Sequence, residues 1–130
     1  MPLILPATLL LLAACAAAAP PPAMATCRSA PCIAIGEAQQ FGIMRVTPLE
    51  VLADSRCPVD AQCVWAGELK VRARLDIGHE TITVELSAGQ PLAINGGALL
   101  LEEAVPLPSM QAPQQTPRDY RFHFTFAQSR

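Results

Sequence analysis

The most regular stretches of the sequence alternate apolar and polar residues, and this pattern constrains the fold more than any other feature. Between Glu68 and Ser87, apolar residues occupy every second position on both sides of Gly78-His79. Such alternation is typical of β-strands with one buried face, and no segment shows the spacing of an amphipathic helix. The sequence therefore predicts an all-β domain, a small antiparallel sandwich or barrel of about six strands.

The segment from Glu68 to Ser87 also predicts the register of a hairpin. A two-residue turn at Gly78-His79 places Leu75 opposite Ile82 on the apolar face and Arg72 opposite Glu85 on the polar face. Glycine at the first turn position suits a type II′ turn. A shift by one residue would place apolar residues opposite polar ones, so the pattern specifies this register.

The clearest single strand lies near the C-terminus, over residues 118–126. Four aromatic side chains share one of its faces: Tyr120, Phe122, Phe124 and Phe126. They include three of the four phenylalanines and the only tyrosine of the chain. Because buried aromatic rings contribute large apolar areas, we expect this strand to run through the middle of the core.

Other strands and loops are marked by proline and glycine. A strand over Ile43–Asp54 changes phase at Pro48, which indicates a bulge or an edge position. Two more strands are predicted over Ile33–Phe41 and Ala98–Val105. Asn95-Gly96-Gly97 marks a turn, and the four prolines between Pro106 and Pro117 predict an extended loop.

The first 25 residues carry no acidic or basic side chain, and Leu3–Ala19 is almost entirely apolar. This stretch is short for a membrane-spanning helix, which needs about 20 residues. It has the length and position of the apolar region of a signal peptide. Leu12-Ala13-Ala14-Cys15 resembles a bacterial lipobox, in which the cysteine receives a diacylglycerol and becomes the first residue of the mature chain.

The lipobox predicts a lipid anchor on Cys15 and a division of the chain into three parts. Residues 1–14 are the signal peptide, 15–31 the lipidated cysteine and an Ala/Pro-rich tether, and 32–128 a single β domain. By resemblance to lipoproteins of Gram-negative bacteria, Ala16 after the modified cysteine implies the outer membrane, with the domain facing the periplasm. The alternative is ordinary cleavage after Ala23-Met24-Ala25, which would leave a soluble secreted or periplasmic protein.

Four further cysteines remain: Cys27, Cys32, Cys57 and Cys63. An even number in an exported protein predicts two disulfides. Three pairings exist, and we favour Cys57–Cys63 and Cys27–Cys32 because each closes a short loop. A metal site is the weaker alternative because thiols oxidise in exported proteins, and no metal or other cofactor is expected.

The most distinctive run of the sequence is Asp54–Gly67, which reads DSRCPVDAQCVWAG. It resembles the D-S-R-C-P…C-V-W-A-G signature of a group of small, uncharacterised bacterial secreted proteins and lipoproteins. The resemblance implies export, a disulfide-closed loop between two strands and a β-rich domain. It implies no established activity, so no catalytic residue can be carried over to this chain.

Two interpretations of this run remain open. In the first, the disulfide stabilises a small domain and Trp65 packs over it. In the second, the closed loop presents side chains to a partner, since a preorganised loop loses less entropy on binding. The candidate partner-binding residues are Arg56, Val59, Asp60, Gln62 and Trp65.

Side chains with catalytic chemistry are scattered in the sequence. His79 falls in the predicted turn and His123 on the polar face of the last strand, while Glu102 and Glu103 would face opposite sides of a strand. We therefore expect no enzyme. The net charge of −2 predicts no nucleic-acid binding.

These observations predict a lipid-anchored envelope β-domain that acts by binding or structural support. An envelope protein or peptidoglycan is the candidate partner, in addition to the membrane itself. The alternative function is a secreted or anchored inhibitor that presents the 57–63 loop to a hydrolase.

Overall fold

The computed structural model describes residues 26–111 and 115–130, which form eight β-strands and no helix. The strands are β1 (Ile33–Ala34), β2 (Gln39–Phe41), β3 (Met44–Asp54), β4 (Leu69–Ile77), β5 (Glu80–Ser87), β6 (Leu92–Ile94), β7 (Gly97–Val105) and β8 (Arg121–Gln128). Within these residues there is no helix long and apolar enough to cross a bilayer. The predicted signal peptide, the anchor at Cys15 and residues 16–25 of the tether lie outside the described residues.

The strands form two antiparallel four-stranded sheets whose inner faces share one apolar core. One sheet has the order β2-β3-β4-β5 and the other β1-β8-β7-β6. Strands that follow each other in the chain are paired except at two points, between β1 and β2 and between β5 and β6, where the chain changes sheet. The predicted antiparallel sandwich with two disulfides is confirmed.

The strand count differs from the predicted six because of two short elements. The segment Ile33–Phe41, predicted as one strand, is divided by a turn containing Gly36 (φ 86°) into β1 and β2. These two strands belong to different sheets, so the alternating pattern runs across a corner of the sandwich. The second addition is β6, which pairs with β7 across the predicted turn at Asn95-Gly96.

The predicted registers and phase change are confirmed. Strands β4 and β5 pair Leu75 with Ile82 and Arg72 with Glu85, and Gly78 has the positive φ of 59° that the turn requires. In β3 the pairing with β4 shifts between Pro48 and Glu50. The extra residue at this bulge makes Val51 the next inward-facing position, opposite Val71, and a second shift between Val51 and Ala53 restores the original parity.

The aromatic strand β8 lies inside its sheet, between β1 and β7, as its composition predicts. Phe122 and Phe124 are fully buried, and Tyr120 is largely buried. The ring of Phe122 lies 5.9 Å from that of Tyr120 and 6.3 Å from that of Phe124. These rings pack with aliphatic side chains of β3 and β4 in the common core.

A bulge in β7 overturns the expectation that Glu102 and Glu103 face opposite sides. The pairing of β7 with β8 shifts between Leu101 and Glu103. Leu101 and Ala104 are both buried in the core, and both glutamates line one groove on the outside. The expectation was wrong because the bulge places two successive residues on the same side of the strand.

A buried glutamine joins the two sheets. Strand β1 covers only Arg121 and Phe122 of β8, so the edge of β8 beyond them lacks a strand partner. Gln39 from β2 supplies that partner: its Nε2 donates to the Phe124 carbonyl at 2.8 Å, and its Oε1 accepts from the Phe124 N–H at 3.2 Å. The side-chain amide thus replaces a missing peptide group, and the buried backbone of β8 remains hydrogen-bonded.

We predict that Gln39→Leu destabilises the protein by about 2–4 kcal/mol, because two buried backbone groups would lose their partner. Gln40→Leu is the matched control, since Gln40 neighbours it on the same strand but is exposed, and its cost should be below about 1 kcal/mol. Urea-induced unfolding of the two variants measures the difference. Equal midpoints for the two variants would show that the amide bridge does not contribute.

Candidate functional site

The long connections of the sandwich gather at one end, which we call the loop end. It carries the β3–β4 connection 55–68 and the described parts of the β7–β8 connection, 106–111 and 115–120. The N-terminal segment 26–32 lies next to it, because the Arg28 N–H donates to Glu103 near the end of β7. The opposite end carries short turns, including those at 42–43 and 78–79, which are joined by a hydrogen bond from the Gly78 N–H to the Ile43 carbonyl at 3.3 Å. Because binding residues are found preferentially on loops held by a rigid scaffold, the loop end is the candidate functional site.

Arg56 connects the two sheets at this end. Its Nε and Nη2 donate to the two oxygens of Asp54, each at 2.8 Å. The same guanidinium donates through Nη1 to the Ala104 carbonyl at 2.9 Å and through Nη2 to the Pro106 carbonyl at 3.1 Å. The planar group thus holds the end of β3 against the end of β7 and the loop that follows it.

Tyr120 completes this arrangement from the start of β8. Its hydroxyl donates to Oδ2 of Asp54 at 2.8 Å. Burial alone would raise the pKa of the Asp54 carboxyl, but hydrogen bonds from Arg56 and Tyr120 outweigh it and hold the pKa below its usual value. Burial and the bond to the Asp54 carboxylate raise the pKa of Tyr120 to about 12.

The disulfide Cys57–Cys63 closes the 57–63 loop, as predicted, with 5.9 Å between the two Cα atoms. The Val59 N–H donates to the Pro108 carbonyl at 3.0 Å. Asp60 accepts from the Met110 N–H and from the Ser109 hydroxyl, each at 2.8 Å, and these bonds lower the pKa of its carboxyl. The 57–63 loop and the 106–111 segment are therefore one hydrogen-bonded unit.

The second disulfide, Cys27–Cys32, is also confirmed and closes the N-terminal segment. The Arg28 N–H donates to both carboxylate oxygens of Glu103, at 2.9 and 3.0 Å. His123 is buried beneath the same segment, and its Nδ1 donates to the Pro31 carbonyl at 2.8 Å. Residues 26–31, which the sequence assigned to the tether, thus lie against the outer face of the β7–β8 sheet.

A groove of about 690 Å³ separates this N-terminal segment from the β7–β8 connection. Its lining includes Thr26, Arg28, Arg56, Glu103 and Leu107. No three His, Cys, Asp or Glu side chains come together to hold a metal ion within residues 26–111 and 115–130. The groove places the first described residue, Thr26, beside the loop that follows β7.

Large apolar side chains are exposed mainly at the loop end. Eight such side chains are exposed among the described residues, and five belong to the two long connections: Val59, Val64, Trp65, Leu107 and Met110. Trp65 is 74% exposed and Val64 90%. These five residues, which we call the apolar tip, lie on loops that Arg56 and Asp60 hold together.

The structure separates the five candidate partner-binding residues into two groups. Arg56 and Asp60 form hydrogen bonds with other groups of the protein, and the Arg56 side chain is only 17% exposed. Val59, Gln62 and Trp65 are exposed. The expectation that Trp65 packs over the disulfide is wrong, because the residue is mostly open to solvent. The stabilising role of the disulfide itself stays a prediction.

Sequence reasoning missed Val64, Leu107 and Met110 as members of this surface. Val64 lies inside the 54–67 run but was not singled out. Leu107 and Met110 belong to the twelve residues from Pro106 to Pro117, which contain no acidic or basic side chain. Apolar residues in a proline-rich, uncharged loop were the signal that could have identified them.

Comparisons of the chain with protein-family models, curated proteins and solved structures find no match. The resemblance of the 54–67 run to small secreted proteins and lipoproteins stays a prediction. The geometry of the loop end is therefore the basis for a functional proposal.

We predict that the single tyrosine of the chain ionises at a pH near 12 instead of its usual 10, because Tyr120 is buried and donates to a carboxylate. An ultraviolet titration of tyrosinate absorbance reports Tyr120 alone. Asp54→Asn, which removes the negative charge, should return the pKa towards 10. A wild-type pKa of 10 in the folded protein would contradict the hydrogen bond.

The same shift predicts the stability at alkaline pH. The unfolded chain loses the tyrosine proton near pH 10 and the folded protein only near 12. A pKa that is raised on folding gives stability that is complete below pH 10 and lost as the pH rises towards 12. Tyr120→Phe should be less stable at pH 8 and should not show this tyrosine-dependent loss, as denaturant unfolding at each pH can measure.

Proposed function

We propose that this protein is a lipid-anchored domain of the bacterial envelope that acts by binding a component of that envelope through its loop end. The observation that carries the proposal is the contrast within the two long connections. Arg56 and Asp60 hold their backbones in place, while Val59, Gln62 and Trp65 are left exposed. A surface that is ordered before it binds loses little conformational entropy, which favours recognition.

The proposed location rests on the sequence around Cys15. Lipidation at this residue would attach the domain to the periplasmic face of the outer membrane, with the tether following it. The two disulfides support a compartment in which thiols oxidise. Cleavage after Ala25 would instead give a soluble periplasmic or secreted domain with the same loop end.

Binding is proposed in preference to catalysis because the polar side chains near the groove have structural partners. His123 donates to the Pro31 carbonyl, and Glu103 accepts the Arg28 N–H. Each of them fastens the N-terminal segment to the sheet. Arg56 does the same for the loop after β7.

An inhibitor of a hydrolase is the second candidate function. It is favoured by the closed 57–63 loop, in which the disulfide and the Asp60 hydrogen bonds restrain the backbone around exposed Val59. A restrained loop of this kind suits insertion into an enzyme cleft. Loss of lysozyme or protease activity on addition of the purified protein would support this alternative.

We predict that Cys15→Ser releases the protein from membranes or leaves it unprocessed, because the hydroxyl cannot replace the thiol that takes the diacylglycerol. Membrane fractionation of a bacterial host and mass spectrometry of the N-terminus measure the effect. The lipobox hypothesis fails if the wild-type chain is unmodified and begins at Thr26.

We predict that Val59→Asp combined with Gln62→Ala lowers capture of the binding partner by about tenfold, since a carboxylate placed in a contact surface costs at least ~1.4 kcal/mol. Capture is measured in cells with a photo-crosslinking amino acid in place of Val64, followed by mass spectrometry of the products. Melting temperature should stay nearly unchanged because both side chains are exposed.

The matched control is Ile43→Asp. Ile43 is 68% exposed, close to the 65% of Val59, but it lies in the turn at the opposite end of the sandwich. It should leave capture unaltered. If the Val59 and Gln62 variant also retains full capture at unaltered stability, the 57–63 loop only stabilises the fold.

A further inference from the structure

We propose that the loop end rests on the lipid surface that holds the anchor, with the apolar tip inserted among the headgroups and the first part of the acyl chains. This inference rests on the proposed function, since it names a bilayer as the component that the loop end binds. The protein would then contact its membrane twice, through the lipid on Cys15 and through the side chains around Trp65.

The position of Thr26, where the described chain begins, favours this orientation. Thr26 lines the same groove as Arg56 of the loop end and Leu107 of the apolar tip, so the described chain begins near the loop end. Ten residues separate Cys15 from Thr26, and even fully extended they span no more than about 36 Å. A sandwich strand of nine residues such as β4 is itself about 30 Å long. If the turn end faced the membrane, the tether would have to be almost fully extended to pass along the sandwich. The tether therefore favours an orientation in which the loop end faces the membrane.

The side chains of the apolar tip are of the kinds that favour a membrane surface. Tryptophan is enriched at membrane–water interfaces, and aliphatic side chains gain free energy when they leave water. Residues 106–111, which are uncharged, and residues 57–67, with Asp60 as their only charge, present little that a bilayer would have to desolvate. Asp60 already accepts hydrogen bonds from Ser109 and Met110.

Hydrogen bonds restrain the loops that carry the apolar tip. The Val59 N–H donates to the Pro108 carbonyl, and the Arg56 guanidinium donates to the Pro106 carbonyl. Backbone groups that are already paired can approach a bilayer at a lower cost than free ones. The lipid anchor would keep the tip at a high effective concentration near the surface, so a weak intrinsic affinity is enough for contact.

Trp65 is the only tryptophan of the chain, so its fluorescence reports the apolar tip alone. The full-length protein, isolated from bacterial membranes, is reconstituted into vesicles of phosphatidylethanolamine and phosphatidylglycerol, with and without brominated acyl chains. Brominated lipid should quench Trp65 at least about twofold, because an interfacial indole contacts the acyl-chain region. Leu107→Asp combined with Met110→Asp should reduce this quenching, since these side chains are exposed and their replacement removes apolar contact with lipid.

The matched control moves the reporter to the turn end. In the double variant Trp65→Phe, Ile43→Trp, the only indole occupies an exposed turn far from the tip, and brominated lipid should leave its emission unchanged. Equal quenching at the two positions would overturn the proposed orientation.

The remaining outcomes separate this inference from the proposed function. If the protein sediments with vesicles while Trp65 stays unquenched, the anchor holds and the docking of the loop end is wrong. A crosslink from position 64 to an envelope protein, with Trp65 unquenched, assigns the loop end to a protein partner and also overturns the docking. If the isolated wild-type protein begins at Thr26 and its Trp65 is quenched, the docking is supported and the lipid anchor on Cys15 is wrong. A protein that neither sediments nor shows quenching overturns both.

Discussion

The loop end depends on a single ion pair with shared hydrogen bonds, that of Asp54 and Arg56. Asp54 is the last residue of β3, and Arg56 reaches from there to carbonyls at the end of β7 and just after it. Both side chains are mostly shielded from water, at 14% and 17% exposed, and Tyr120 adds a third bond. Charge-assisted hydrogen bonds in such surroundings are stronger and more directional than those at an exposed surface. These bonds fix the start of the β3–β4 connection to the end of β7, and the bonds of Val59 and Asp60 then join the same connection to the 106–111 segment.

This arrangement explains why one run of sequence contains both scaffold and presented residues. Within Asp54–Gly67, Arg56 donates to carbonyls at the end of β7 and just after it, and Asp60 accepts from the Met110 N–H and the Ser109 hydroxyl. The apolar side chains Val59, Val64 and Trp65 point to solvent. Charged side chains of this run therefore hold the loops in place, while its large apolar side chains are exposed to solvent. An exposed apolar surface that is held in place is the kind of surface that the proposed binding role requires.

The sequence predicts the parts of the fold that depend on contacts between neighbouring strands. The pairing of Leu75 with Ile82, the aromatic face of β8 and the phase change at Pro48 all follow from alternation, because each side chain faces a residue close along the chain. The contacts that escaped prediction join residues far apart in sequence. The bond of Gln39 to Phe124 spans 85 residues and that of Arg56 to Pro106 spans 50, and no local pattern encodes either. The bulge at Glu102 was missed for a related reason, since an inserted residue can only be seen relative to the partner strand.

The strand order gives the N-terminus a distinctive position in the assembly of the domain. Every pairing except one joins strands that follow each other in the chain, and the exception is β1 with β8, which brings Ile33 opposite Phe122. Closing a loop of that length carries a larger entropic cost than closing a local hairpin. Strand β1 has no strand to pair with until β8 is present, so the first strand in the chain is the last to join its sheet. In the proposed lipoprotein, the segment that follows the anchor at Cys15 would therefore stay unpaired until β8 is present, and the domain would close after its membrane attachment.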